Sequence, residues 1–179
     1  MCSMDKASIL VAPRELKDQV ERANRVLGCE ASVADRLAED VTFCEINYGQ
    51  GISSWLEITA LDSVVLDNVL RSSLRLRLPT NTKSVDVHFD SPVLFVLLAR
   101  TLHNQENFGI TWSCDSEVTS GHSPVVSVSL KSDTPPPPSR NQKTAGALST
   151  GLKVSLHEWN QLNKIASQFL MSEEVLDAS

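Results

Sequence analysis

Arg75, Arg77, Asp86 and His88 are the side chains whose types and spacing could do chemistry together. They sit at alternate positions of two short runs, LRLRL at residues 74–78 and VDVHF at residues 85–89. Alternation of apolar and polar residues marks half-buried strands, and the PTNTK segment between the runs reads as a turn. Paired as a hairpin with Leu78 facing Val85, Leu76 meets Val87 and Leu74 meets Phe89 on one side. On the other, Arg77 stands across from Asp86 and Arg75 across from His88. Guanidinium groups grip a carboxylate or phosphate through paired N–H donors, and an imidazole exchanges a proton near neutral pH. These four residues are the expected ligand-binding set, for a small anion serving an enzyme or a sensor. The same pattern arises on any water-facing side of a hairpin, where an Arg77–Asp86 pair contributes about 0.5 kcal/mol and no chemistry.

No other group of residues meets the needs of catalysis, which are a nucleophile or acid–base group held by a partner in a cleft. His103 falls near the C-terminal end of a helical stretch, where the helix dipole favours an imidazolium. His122 sits in a loop beside Gly121, and His157 opens the last helix. Cys2, Cys29, Cys44 and Cys114 contain no C-x-x-C pair, and Cys114 and His88 would need opposite strand faces to converge, so no metal is expected. The chain has no G-x-x-x-x-G-K-[ST] and no G-x-S-x-G, and Gly49-x-Gly51 alone is too little for a nucleotide. No catalytic residue and no cofactor is expected.

The chain has 179 residues, 41% of them hydrophobic, enough to bury a sizeable core. Its formal charge of −6 is poorly suited to coating phosphate backbones, so nucleic acid is not an expected partner. No apolar run approaches the roughly 18 residues that span a bilayer, and the start, MCSMDKASILVAP, lacks the basic-then-apolar order of a secretion signal. The expectation is a cytoplasmic protein with no membrane contact.

The elements that must position these residues follow from periodicity. Leu16, Val20, Ala23, Val26 and Leu27 recur at helical spacing between Pro13 and Gly28. Ser32 and Asp35 resemble a capping box for a second helix carrying Leu37, Ala38, Val41 and Cys44, and the two should form a hairpin. Gly49-Gln50-Gly51 interrupts, after which Ile52, Trp55, Leu56 and Ala60 fit a resumed helix while Leu56, Ile58 and Ala60 also fit a short strand, with helix the favoured reading, and Leu61, Val65, Leu66 and Val69 make another stripe. After the hairpin, Ser91 and Pro92 open a helix over residues 91–104 that is apolar on every side in VLFVLLA and therefore buried. FGITWSC and VVSVSL are two further strands. The expected fold is α+β: an N-terminal helical layer, a mixed four- to five-stranded sheet with a ββαββ core around a buried central helix, and a C-terminal helix. Residues 1–12 are expected to be disordered, residues 13–131 to form the domain (helical over 13–73, sheet over 74–131), and residues 132–151, with four consecutive prolines, to be a linker or loop. Residues 152–179 add a short edge strand and a helix, capped by Ser155 with Glu158, that packs back through Trp159, Leu162, Ile165, Ala166 and Phe169.

Three stretches carry a family likeness: ADRLAEDV in the N-terminal helices, SPVLFVLLARTL followed by a strand bearing GITWS, and the ending EWNQLNKIASQFLMSEEV. Together they resemble a family of uncharacterised bacterial proteins defined as a domain of unknown function, a resemblance that implies no activity. YGQGISSW is similar to a turn of the malate and sulfolactate type of dehydrogenase but lacks that turn's histidine. With no catalytic motif and an acidic balance, the chain is expected to be a non-catalytic binding or assembly module, a homo-oligomer or the companion of a protein partner. The hydroxyl-bearing sheet face of Thr111, Ser113, Ser127 and Ser129 is a candidate contact surface.

Overall fold

Apolar residues at three- and four-residue intervals make α1 (Pro13–Val26), which Pro13 opens and Gly28, left-handed at φ 86°, terminates. Leu16, Val20 and Ala23 are wholly buried where α1 packs on α2 (Ala31–Asn47) and on the C-terminal helix. The computed structural model describes residues 7–61, 70–79, 81–132 and 141–176. Tyr48, Gly49 and Gln50 turn the chain into α3 (Gly51–Thr59), whose Ile52 and Trp55 face the core as the helical reading expects. The helix expected from the Val65–Val69 stripe lies outside the described residues.

The fold is α+β, with two small sheets among the described residues. Strand β1 (Ser8–Val11) pairs antiparallel with β5 (Leu152–Ser155), while β2 (Ser84–Leu94), β3 (Ile110–Cys114) and β4 (Pro124–Ser132) form the second sheet in the order β2-β4-β3. Helix α4 (Ala99–Glu106) links β2 to β3, α5 (Asn141–Thr150) precedes β5, and α6 (Leu156–Leu176) follows it. Both pairings in the larger sheet are antiparallel, so β2 and β3 run in the same direction with β4 between them.

Several expectations are corrected. The hairpin of residues 74–78 with residues 85–89 does not form, because Ser72–Arg75 is a 3-10 turn and Leu76 (φ −80°, ψ 69°) is the centre of an inverse γ-turn closed by Arg77 N–H on Arg75 C=O at 2.9 Å. Leu76 buries, Leu74 stays exposed, and the Gln105 side chain donates to the Leu76 carbonyl that a partner strand would have used. The partner of β2 is instead β4, with Val87 opposite Val128.

The central helix is also shorter than expected. Residues 91–94 extend β2, Phe95–Leu97 is a 3-10 turn, and only Ala99–Glu106 is α-helical. A run that is apolar on all sides suits a buried strand as well as a buried helix. Pro92 falls inside the register shift between His88 and Val93, where its missing N–H interrupts no ladder bond.

A single four- to five-stranded sheet is replaced by the two smaller ones because β5 finds β1 rather than the edge of the larger sheet. Residues 8–11 are therefore ordered as a strand, with Val11 buried, where the whole of residues 1–12 was expected to be disordered. Of the expected linker, residues 133–140 lie outside the described residues and Asn141–Thr150 is helical, anchored by the buried Ala147. The C-terminal helix matches its predicted stripe, with Trp159, Leu162 and Ala166 buried and Glu158 N–H on Ser155 Oγ at 3.5 Å.

Candidate functional site

The outer face of the β2-β4-β3 sheet carries Asp86 and His88, which stand opposite Ser129 and Ser127. Asp86 accepts a hydrogen bond from the Ser129 hydroxyl, and both Asp86 and His88 are exposed. With no strand at residues 74–78, Arg75 and Arg77 do not stand across from them. Arg75 lies over the Phe89 ring, 5.7 Å from its centroid, and 4.0 Å from the exposed Asp90, while the Arg77 side chain is exposed. Two of the four expected residues thus share a sheet face and two are placed by an irregular turn. Thr111, Ser113, Ser127 and Ser129 share that outer face, since directly paired residues point the same way. The inner face, with Val87, Val128 and Leu130, enters the core.

A cleft of about 490 Å³ opens at the end of β3, lined by Tyr48, Trp112, Ser113, Cys114, Asp115, Ser116, Glu117 and Val118. Two of its lining residues, Tyr48 and Trp112, belong to a polar chain threaded through aromatic contacts. The Tyr48 hydroxyl lies 2.6 Å from His103 Nε2, His103 Nδ1 lies 3.3 Å from Glu106 Oε2, and the Trp112 indole N–H donates to Glu106 Oε1 at 2.9 Å. Phe95 and Tyr48 pack in a T-shape with ring centroids 4.9 Å apart, and His103 and Trp112 do the same at 5.4 Å. Such edge-to-face contacts fix ring orientation beyond what burial does. His103 was expected to serve only the helix dipole; its short bond to Tyr48 gives it a second role that no local signal announces.

The cleft thiol is not a nucleophile at neutral pH, because burial and then the neighbouring Asp115 push Cys114 up to about 11. Asp115 itself is held below the usual carboxylate range, chiefly by the Ser127 N–H, and its Oδ1 also accepts from the Val126 N–H, each at 2.9 Å. It stays ionised at the rim.

A second cluster forms where the loop at Gly121 docks on the start of α3. The Ser53 hydroxyl lies 2.8 Å from His122 Nε2, and His122 Nδ1 lies 2.9 Å from Glu57 Oε2. Ser53 and Glu57, four apart on α3, present their side chains on one helix face. The docking is backbone on backbone: Gly121 N–H donates to Gly49 C=O at 3.2 Å, and Val96 N–H to Gly121 C=O at 3.1 Å. Gln50, the residue that precedes the helix as its N-cap, is held left-handed at φ 60°. Its lack of a side-chain cap is made good by Glu45, which accepts from the Ile52 N–H at 3.0 Å. Burial raises the Glu45 pKa, and the Ile52 and Gly51 N–H groups oppose that rise.

No family model, no curated protein and no solved structure matches this chain. Neither cluster was foreseen from the letters: Tyr48 and His103 are 55 residues apart, Ser53 and His122 69 apart. The only traces in the sequence were the paired glycines with two serines in YGQGISSW and a histidine following Gly121.

Proposed function

We propose that this protein is a binding module that receives a cationic group, an organic amine or guanidine, in the cleft beside Tyr48 and Trp112. The observation that carries the reading is the composition of the walls: two aromatic rings, the carboxylates of Asp115 and Glu117, and, among the described residues, no basic side chain. Aromatic rings attract ammonium and guanidinium groups by about 0.5–2 kcal/mol, and an ionised carboxylate at the rim adds a charge-assisted hydrogen bond. The formal charge of −6 favours approach of the same class of ligand. A small anion bound by Arg75 and His88 loses its motive, since the hairpin that would have aligned them is absent.

Indole fluorescence tests the proposal. Agmatine titrated to about 10 mM, a range that captures weak millimolar binding, is expected to change the emission and raise the melting temperature. Succinate at equal ionic strength should do neither. The emission change should vanish in Trp112→Phe, which leaves Trp55 and Trp159 in place, and the affinity should fall at least about threefold in Glu117→Gln. An agmatine response that is absent, or that persists undiminished in Trp112→Phe, removes the proposal.

A further inference from the structure

We propose that Ser53, His122 and Glu57 form a nucleophile, base and orienting acid able to accept the acyl group of a small activated ester. This is a second site, independent of the cleft. The geometry meets the two tests such a unit must pass, with the nucleophile within hydrogen-bond reach of the base and the base in turn oriented by a third group. The distances are 2.8 Å and 2.9 Å.

Glu57 on Nδ1 selects the imidazole form whose Nε2 lone pair is free for a proton. The Ser53 hydroxyl has one proton and two acceptors in reach, His122 Nε2 at 2.8 Å and the Gln50 carbonyl at 3.3 Å. The shorter contact takes it.

Rigidity comes from the docking of the Gly121 corner. A Cβ there would stand 2.8 Å from Ser54 Oγ and 3.0 Å from both Cys44 Sγ and the Gln50 carbonyl, so only a glycine lets His122 come this close. The turn that presents Ser53 holds a non-glycine residue, Gln50, in the left-handed region. Backbone strain of about 1 kcal/mol or more per residue persists only where surrounding contacts enforce it, and it concentrates at functional turns. The site is reached directly from solvent: the side chains of His122 and Glu57 are 34% and 58% exposed and Ser53 is half-buried. It is therefore suited to short acyl groups such as acetyl rather than to a substrate that needs enclosure.

In the first step Ser53 Oγ forms a bond to the carbonyl carbon of the ester while its proton passes to His122 Nε2. The bond from that carbon to the leaving oxygen breaks, and the departing alkoxide or phenoxide takes the proton from His122. Water then attacks the acyl-serine, gives a proton to His122 Nε2, and Ser53 Oγ leaves and recovers it, releasing the carboxylic acid. Glu57 remains a carboxylate throughout, and no electron is gained or lost.

The test uses the full chain with p-nitrophenyl acetate and, separately, with a small fluorophosphonate. The expected results are p-nitrophenol release above the buffer rate and a single fluorophosphonate adduct that peptide mapping places on Ser53. Ser53→Ala should melt at the parent temperature and lose both. His122→Gln should lower both rates at least about a hundredfold and Glu57→Gln at least about tenfold, in the range of general-base and orienting contributions. A folded parent that neither labels nor hydrolyses overturns the proposal. So does labelling or hydrolysis that persists in Ser53→Ala, or that is indifferent to His122→Gln.

Discussion

Arg100 illustrates how one side chain decides the electrostatics of the helical layer. Its Nε lies 2.6 Å from Asp40 Oδ1 and its Nη1 2.7 Å from Glu39 Oε2, while the Asp40 side chain is only 3% exposed. Burial pushes the Asp40 carboxyl up to about 6, against the pull of Arg100. The folded pKa lies above the unfolded one, so the folded chain binds this proton more tightly. The group's stabilising contribution is complete below about pH 4 and is lost as pH rises through about 6. Above that pH, Asp40 is charged and depends on Arg100. Arg100→Met is expected to cost about 3–5 kcal/mol at pH 7.5, the penalty for leaving a buried charge unpaired. At pH 5 the cost should be clearly smaller, because Asp40 can then fold protonated. Urea unfolding of both proteins at the two pH values checks this, and equal costs would contradict it. Asp40 was visible in the sequence only as one acid among many, because its burial depends on α2 packing against α4.

At the scale of elements, the meeting of the Gly121 loop with α3 leaves no room for a side chain at residue 121. Gly121→Ala should cost about 1–3 kcal/mol, the usual price of forcing a methyl into a packed site, because one of the three atoms it meets is the Gln50 backbone carbonyl, which cannot rotate away. Gly146→Ala is the matched control. Nothing lies within 4 Å of its Cβ, and it sits inside α5, so it should be neutral or stabilising by up to about 1 kcal/mol. Chemical denaturation of the two variants decides the matter, and equal stability would mean that the loop does not dock as described. Elements were legible where a period ran long enough: α1, α2 and α6 follow their apolar stripes closely. Where two elements had to find each other, letters failed. Residues 74–78 alternate like a strand, but burial of Leu76 and the γ-turn at that residue won over the alternation.

For the whole molecule, the pairing of β1 with β5 joins chain segments from opposite ends. Ile9 stands opposite Val154 and Val11 opposite Leu152, and Leu156 N–H donates to Ala7 C=O at 2.9 Å. Removing residues 1–11 would strip Val11 from the core and uncover Leu152 and Val154. At about 1.5–3 kcal/mol for a fully buried apolar side chain, losing Val11 outright and uncovering only part of Leu152 and Val154 should cost about 3 kcal/mol. For a chain of this size that lowers the melting temperature by roughly 6–12 °C. A calorimetric scan of the shortened chain checks it; melting within about 2 °C of the parent would show that β1 contributes little.

The amino-acid sequence by itself determined the class of fold, the amphipathic helices at either end and the strand character of residues 85–89, 110–114 and 126–130. Those properties arise from neighbours within a few residues, and a hydrophobic period records them directly. Only the tertiary structure decided that β4 lies between β2 and β3, that residues 91–94 extend a strand, and that His103 meets Tyr48 and His122 meets Ser53. A strand or a buried apolar run will satisfy its backbone and its surface against any suitable partner. Which partner it takes is decided by the packing of the entire chain.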